Sequence, residues 1–296
     1  MSSPQWSTLF IKGFTVIDSS FASKTRGLVG ESWLVDITLK GTLNDESMIF
    51  DFGLVKKHIK SIIDEVADHK LIIPATCSGI EVVRENDTTS VTADFDNENN
   101  FVVKAPENAF YFIDEDEVSA SCIQVDLERK ILAKMPANVT EVSIVLRTEA
   151  LGDAPYYHYS HGLKKHQGNC QRIVHGHRSK IEIYEDGVRS DSLQRHWEKR
   201  WQDIYLVSEE DINGYQSWQH TEVENQTFIH SSYSSSEGDF ELLVHKSKCE
   251  VIPTDTTVEF LAEYIAHESL KKSQCSRLEV FAYEGIEKGA YVELTQ

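Results

Sequence analysis

No stretch of this 296-residue chain is apolar for long enough to span a bilayer. Its first ten residues, MSSPQWSTLF, lack the basic region and apolar run of a secretory signal. Cysteine is sparse. Five residues, an odd number at irregular spacing, argue against a disulfide framework and for reduced thiols in the cytoplasm. Positive charge is also short: 29 Lys and Arg stand against 48 Asp and Glu, a formal net charge of −19. Such a surface argues against broad contact with nucleic acid or an anionic membrane. What remains is 40% hydrophobic and 26% charged, as in ordinary globular proteins. The length suits one large domain or two of common size.

The chemistry concentrates in Tyr157–Lys180, YHYSHGLKKHQGNCQRIVHGHRSK. A strand over residues 174–183 turns His175 and His177 to one face, because side chains alternate along a strand. His161, on the preceding strand, is a candidate third ligand. Three neutral imidazoles suit Zn²⁺ and leave one position open, the catalytic arrangement. A histidine-rich loop without metal is the bland alternative. Cys170 lies between the ligands, as an activated thiol or as a small buried hydrophobe. Lys164, Lys165, Arg172 and Arg178 form either a patch for a small anionic substrate or a solvated charged face.

Along the chain, residues 8–17 and Trp33–Leu39 predict strands. Phe52, Val55, Ile59, Ile62, Ile63 and Val66 recur at helical spacing, and this helix stops before Asp68-His69-Lys70-Leu71. The acidic run 84–100 predicts a hairpin or loop insertion. Phe101–Val103 and Phe110–Ile113 are short strands, Ser119–Leu132 a helix, and Val139–Arg147 a strand. The second half repeats this plan. Residues 176–183 parallel 30–37, and Leu278–Tyr283 with Glu284 parallels Val142–Thr148 with Glu149. A period of about half the chain predicts two tandem domains, 1–152 and 153–296, with the boundary near Gly152–Pro155. Within the second, Ser192–Leu206 predicts a helix through Leu193, Trp197, Trp201 and Ile204. Residues 208–238 are polar and stay unassigned. Phe240–Val244 predicts a strand, and a capping box of Thr256 and Glu259 opens the last helix.

These residues resemble the 6-pyruvoyl-tetrahydropterin synthase and 6-carboxytetrahydropterin synthase family of the T-fold. Its signature is an aromatic-rich strand ending in His, then Cys, then His-Gly-His opening the next strand. Tyr157-His158-Tyr159-Ser160-His161, Cys170 and His175-Gly176-His177 match it. Asp51-Phe52, Asp68-His69-Lys70-Leu71, Thr256-Thr257-Val258-Glu259 and the closing Glu149 and Glu284 match further marks. There are departures. Val29 and Glu31 stand where the first half's paired histidines belong, with no His near Ser19–Phe21. In the second half the Asp-His position falls on Val244-His245, without its carboxylate.

The resemblance implies an α+β chain of two tandem T-fold domains, each a four-stranded antiparallel sheet with two helices on one face. It implies a homo-oligomer with interface active sites, and a zinc site kept only in the second half by His161, His175 and His177. It further implies a lyase acting on 7,8-dihydroneopterin triphosphate, forming 6-carboxytetrahydropterin for deazapurine (queuosine) synthesis. The alternatives are the 6-pyruvoyl product and a non-catalytic pterin-binding protein. Cys170 would move a proton on one face of the substrate. Asp68-His69, or else His245, would serve the other. Glu284, Glu149 and Thr257 would hold the pterin.

Overall fold

The computed structural model describes residues 6–95, 98–218 and 227–296. The first half opens with two long strands, β1 (Trp6–Ser23) and β2 (Gly27–Thr42), followed by α1 (Phe52–Val66) and β3 (Leu71–Pro74). It continues with β4 (Ile80–Glu85), β5 (Thr88–Ala93), β6 (Phe101–Ala105), β7 (Phe110–Ile113), α2 (Ala120–Leu132) and β8 (Val139–Arg147). The second half opens with β9 (Tyr156–His161), β10 (His175–Glu185), the short β11 (Val188–Arg189), α3 (Asp191–Arg200) and β12 (Gln202–Ser208). There follow β13 (Ile212–Gln216), β14 (Phe228–Ser235), β15 (Gly238–His245), β16 (Cys249–Ile252), α4 (Val258–Leu270), β17 (Arg277–Tyr283) and β18 (Gly289–Thr295). No helix among the described residues is long and apolar enough to cross a membrane.

Local chemistry explains the helices. Asp51 caps α1 by accepting from the backbone N–H groups of Gly53 and Leu54, and Val55, Ile59, Ile62 and Ile63 form the buried stripe. Ser119 caps α2 in the same way, over a stripe of Ile123, Leu127 and Ile131. The third helix is shorter than the apolar spacing predicts. Asp203 adopts a left-handed φ of 55°, which an α-helix cannot contain, and the chain continues as a strand in place of the predicted helix end. The last helix also differs. Its N-cap is Thr257 and no side chain caps it, so the Thr256–Glu259 capping box is absent.

The first sheet has the order β7-β3-β1-β2-β8, and the second runs β16-β12-β9-β10-β17-β18 with β11 beside β10. Four antiparallel strands per half was an incomplete expectation. The short β3 and β12 return after a helix and lie parallel to β1 and β9, which the helical crossover permits. The polar runs 84–100 and 208–238 contribute arms to a third sheet, β13-β14-β15-β6-β5-β4, although residues 96–97 and 219–226 lie outside the described residues. At its centre β15 pairs with β6, Glu241 opposite Lys104. Each half has its own apolar core. A third core mixes Leu71, Phe101 and Val103 with Tyr205, Phe240 and Leu242.

Matching registers fix equivalent positions. Ser20 faces Gly30 across β1–β2, and Ser160 faces Gly176 across β9–β10. The two glycines meet: a Cβ on Gly176 would lie 2.6 Å from the Gly30 Cα, and one on Gly30 would lie 1.9 Å from the Tyr159 carbonyl oxygen. β2 pairs with β8 only from Leu34, and β10 with β17 only from Ile181. The unpaired edges near the glycines are served by the opposite half. His158 Nδ1 donates to the Gly30 carbonyl (2.7 Å), and the Arg178 N–H donates to Ser32 Oγ (3.2 Å).

Candidate active site

The β9–β10 register sets His161 opposite His175 and Tyr159 opposite His177. The alternation of β10 then sets His177 on the same face as His175. The three histidines are buried and bring one ring nitrogen each to within 4.8 Å of one another. Their outer nitrogens are anchored. His161 Nδ1 lies 3.0 Å from the Thr256 carbonyl and 3.2 Å from its hydroxyl, and His175 Nδ1 lies 3.1 Å from the Arg172 carbonyl. His177 Nδ1 lies 3.2 Å from Asp18 Oδ1, an ion-pair distance without the alignment of a full hydrogen bond. The buried Nε2 atoms of His161 and His177 have no hydrogen-bond partner among the described residues. Burial, helped by neighbouring imidazoles, holds His161 and His175 well below the ordinary histidine range. Desolvated imidazoles with unpaired inner nitrogens fit a zinc ion, whose ligands bind deprotonated and are oriented through their second nitrogen.

Beside the trio stands a second group. His69, Cys170 and His175 also gather their ligating atoms within 4.8 Å, and the rings of His69 and His175 are 5.0 Å apart. Cys170 sits on a 3₁₀ turn, Gly168–Gln171, whose placement depends on the Leu163 N–H donating to its carbonyl (3.0 Å). His69 comes from the first half, on a left-handed residue (φ 54°) between α1 and β3. Its Nδ1 pairs with Asp68 Oδ2 at 2.8 Å, and Arg172 of the second half donates to the carbonyls of both residues at 3.3 Å. Burial pulls the His69 imidazolium down, but Asp68 and Cys170 outweigh it and raise it above the usual range. The arrangement pairs a cationic acid–base candidate with a thiol, next to three metal-type imidazoles.

The other expected residues divide. Glu284 is half-buried at the end of β17, where it supports the charge of Lys288, and Lys288 reaches Asp18 Oδ2 at 3.2 Å. Glu149 is held elsewhere, 3.4 Å from the Lys180 ammonium. Thr257 lines a small cleft with Leu163, Lys164 and Asp255. His245 is not gathered with the trio: it bonds Ser247 (2.7 Å) and packs on Phe228. The position equivalent to Asp68-His69 is Gln202-Asp203, not Val244-His245, since Leu71 pairs with Ser20 as Tyr205 pairs with Ser160. The two lysines of the basic patch are neutralised, while its arginines are not. Lys164 bonds Asp211 and Glu210, Lys165 bonds Asp255 and Glu210, and Arg178 stacks on Tyr156.

Two residues escaped sequence reasoning. Thr256 is not a cap but the anchor of His161. Asp18 carries no motif, and its one signal is the repeat, which sets it where His158 stands in the second half. The equivalent basin in the first half is filled with Phe21, Val29 and Glu31 at the three histidine positions. Asp203 there takes the place of His69 and forms a two-pronged salt bridge to Arg26 (2.9 and 2.6 Å).

Residues 15–103 match the family model described as 6-pyruvoyl tetrahydropterin synthase. A Pyrococcus abyssi protein provisionally named 6-carboxy-5,6,7,8-tetrahydropterin synthase is 26% identical over 132 residues, covering 43% of this chain and 73% of its own. A Pyrococcus horikoshii protein with the same provisional name is 25% identical over 128 residues, with the same coverage. Among solved structures, 6-pyruvoyl tetrahydropterin synthase from Plasmodium vivax aligns at 16% identity and a TM-score of 0.37, covering 48% of this chain and 98% of its own. The Plasmodium falciparum enzyme aligns at 14% with a TM-score of 0.37 and the same coverage. Through residues 15–103 the chain is similar to the 6-pyruvoyl tetrahydropterin synthase family.

Proposed function

We propose that this chain is a tandem pair of T-folds acting as a zinc-dependent lyase on 7,8-dihydroneopterin triphosphate, with 6-carboxytetrahydropterin as product, as in the deazapurine route. One observation carries the reading. Asp68-His69 of the first half meets Cys170 and the histidine trio of the second, so a thiol, a carboxylate-backed imidazole and a metal-type cluster share one basin. The five-strand order of the first half recurs in the second, which adds β18 and β11, and this supports a duplication; the names of the Pyrococcus relatives favour the 6-carboxy product.

In this reading His161, His175 and His177 hold the metal, which when bound supplies Lewis acidity toward substrate hydroxyls. Cys170 takes a proton on one face of the side chain. His69, kept cationic by Asp68, gives a proton on the other. Glu284 accepts hydrogen bonds from the amino-pyrimidinone edge. Glu149, engaged by Lys180, belongs to the half without the histidine trio and is left out of the pterin site. Thr257 lines the approach beside Lys164. Assembly into a homo-oligomer accompanies the proposal and is tested by light scattering.

The direct test is incubation of the zinc-loaded protein with dihydroneopterin triphosphate and mass analysis of the products. Loss of triphosphate and acetaldehyde with formation of 6-carboxytetrahydropterin supports the reading. A 6-pyruvoyl product moves it to the sister branch. Binding without turnover makes the chain a pterin-binding protein.

A further inference from the structure

Asp18 lies at 3% exposure in β1 of the first half, yet both ion-pair partners of its carboxylate, His177 and Lys288, belong to the second. Its Oδ1 is 3.2 Å from His177 Nδ1 and accepts from Ser32 Oγ at 2.5 Å, while its Oδ2 is 3.2 Å from the Lys288 ammonium. Gly285, in a left-handed turn (φ 74°), packs so tightly that a Cβ there would lie 2.6 Å from Asp18 Oδ1. Both carboxylate oxygens are therefore engaged and walled in. The Asp18 main chain does different work. Its N–H donates to Asp68 Oδ1 (2.9 Å), and its carbonyl accepts from the His69 N–H (2.8 Å).

We propose that Asp18 is the positioning residue that joins the two parts of the site: its carboxylate fixes the tautomer and direction of His177, and its backbone fixes Asp68-His69. A carboxylate behind the outer nitrogen of a ligating histidine holds the proton there, turns the other nitrogen inward and raises its basicity. The buried charge is tolerable because His177, Lys288 and Ser32 surround it. Burial pushes the carboxyl up, and these partners more than offset that, leaving it well below the ordinary range. The second half supplies no carboxylate for this task at its own equivalent place, where His158 stands and faces Glu31 at 3.9 Å. The imidazole–carboxylate pair thus occurs twice with its partners exchanged, and only one copy borders the histidine trio.

This inference rests on the trio binding metal, and the experiment separates the two. Zn²⁺ affinity of the full chain is measured by chelator competition, together with the visible spectrum of the Co²⁺ form, for wild type, Asp18→Asn and Glu31→Gln. The expected result is a tenfold to hundredfold weaker Zn²⁺ affinity and an altered Co²⁺ spectrum in Asp18→Asn, with Glu31→Gln unchanged. Wild type that binds no metal overturns the proposed function itself. Wild type that binds, with Asp18→Asn within threefold of it, overturns only the role of Asp18. A loss shared equally by Glu31→Gln does the same, since it reports general loosening between the halves. Should Asp18→Asn fail to fold, ¹⁵N–¹H spectra of wild type still decide, because His177 must carry its proton on Nδ1 in the Zn²⁺ form. A proton on Nε2 there refutes the proposal.

Discussion

Ser20 and Ser160 share a buried hydrogen bond of 2.7 Å, and they occupy the same place in the two halves. Equivalent residues touch each other only near a twofold axis, so the bond marks a pseudo-twofold between the halves. Gly30 and Gly176 meet on the same line. From this axis the two basins diverge: one gathers histidines and a thiol, and the other a salt bridge.

The axis makes Gly30 sensitive. A Cβ there enters the backbone of Tyr159 and His177, which no rotamer change relieves. We expect Gly30→Ala to cost about 3 kcal/mol or more, read as a large fall in melting temperature or as insoluble protein. Gly152→Ala, at φ 55° in open space, should cost only the left-handed strain of about 1–2 kcal/mol.

One zinc per chain is expected by elemental analysis, lost in His175→Ala. Two per chain would mean that the basin of Phe21, Val29 and Glu31 also binds. Removal of the ion should lower stability by about 4 kcal/mol when the free metal had stood near a thousand times its dissociation constant.

Cys170→Ala and His69→Ala should each reduce turnover at least about a hundredfold, the scale of a positioned proton-transfer group. His245→Ala should stay near wild type, because its ring is committed to Ser247 and Phe228. Since His69 and Cys170 meet within one chain, mixing His69→Ala with Cys170→Ala chains should restore nothing. Recovered activity would place the working pair between chains.

Glu31 offers a pH test. Burial raises its carboxyl to about 7 from the ordinary 4.5, although the Ser32 N–H, Arg178 and Arg26 pull it down. Between those values the folded protein holds a proton that the unfolded chain has released, so stability falls as pH rises through the window. Glu31→Gln removes the fall. Relative to wild type, the variant should gain on the order of 3 kcal/mol between pH 4.5 and pH 8, read from denaturant midpoints. A gain that is the same at both pH values would show that charge is not the cause.

Much of the fold was legible because its apolar spacing is regular. The stripe of α2 and the alternation of β8 appear as the sequence predicts, and so does that of α1 except for Phe52, which is exposed. The end of α3 was not legible, since Leu193, Trp197, Trp201 and Ile204 keep helical spacing past the point where Asp203 turns the backbone. The third sheet was hidden because its arms are polar and half-exposed, and its pairing is long-range. At the site, the histidines and Cys170 form a local motif and could be read directly. Asp18 could not, since a single carboxylate acquires its role only when another half of the chain is laid against it.

The pairing of β6 with β15 has a further consequence. Cutting the chain in the 148–155 connection would not yield two independent domains. Each fragment would bare a row of unpaired amides and carbonyls along β6 or β15, beside apolar residues such as Phe101 and Leu242 that had been covered. Such borders recruit other chains. Separately expressed fragments should therefore aggregate, whereas co-expressed fragments should find each other across the same ladder. The halves behave as one folding unit even though each repeats the other's plan.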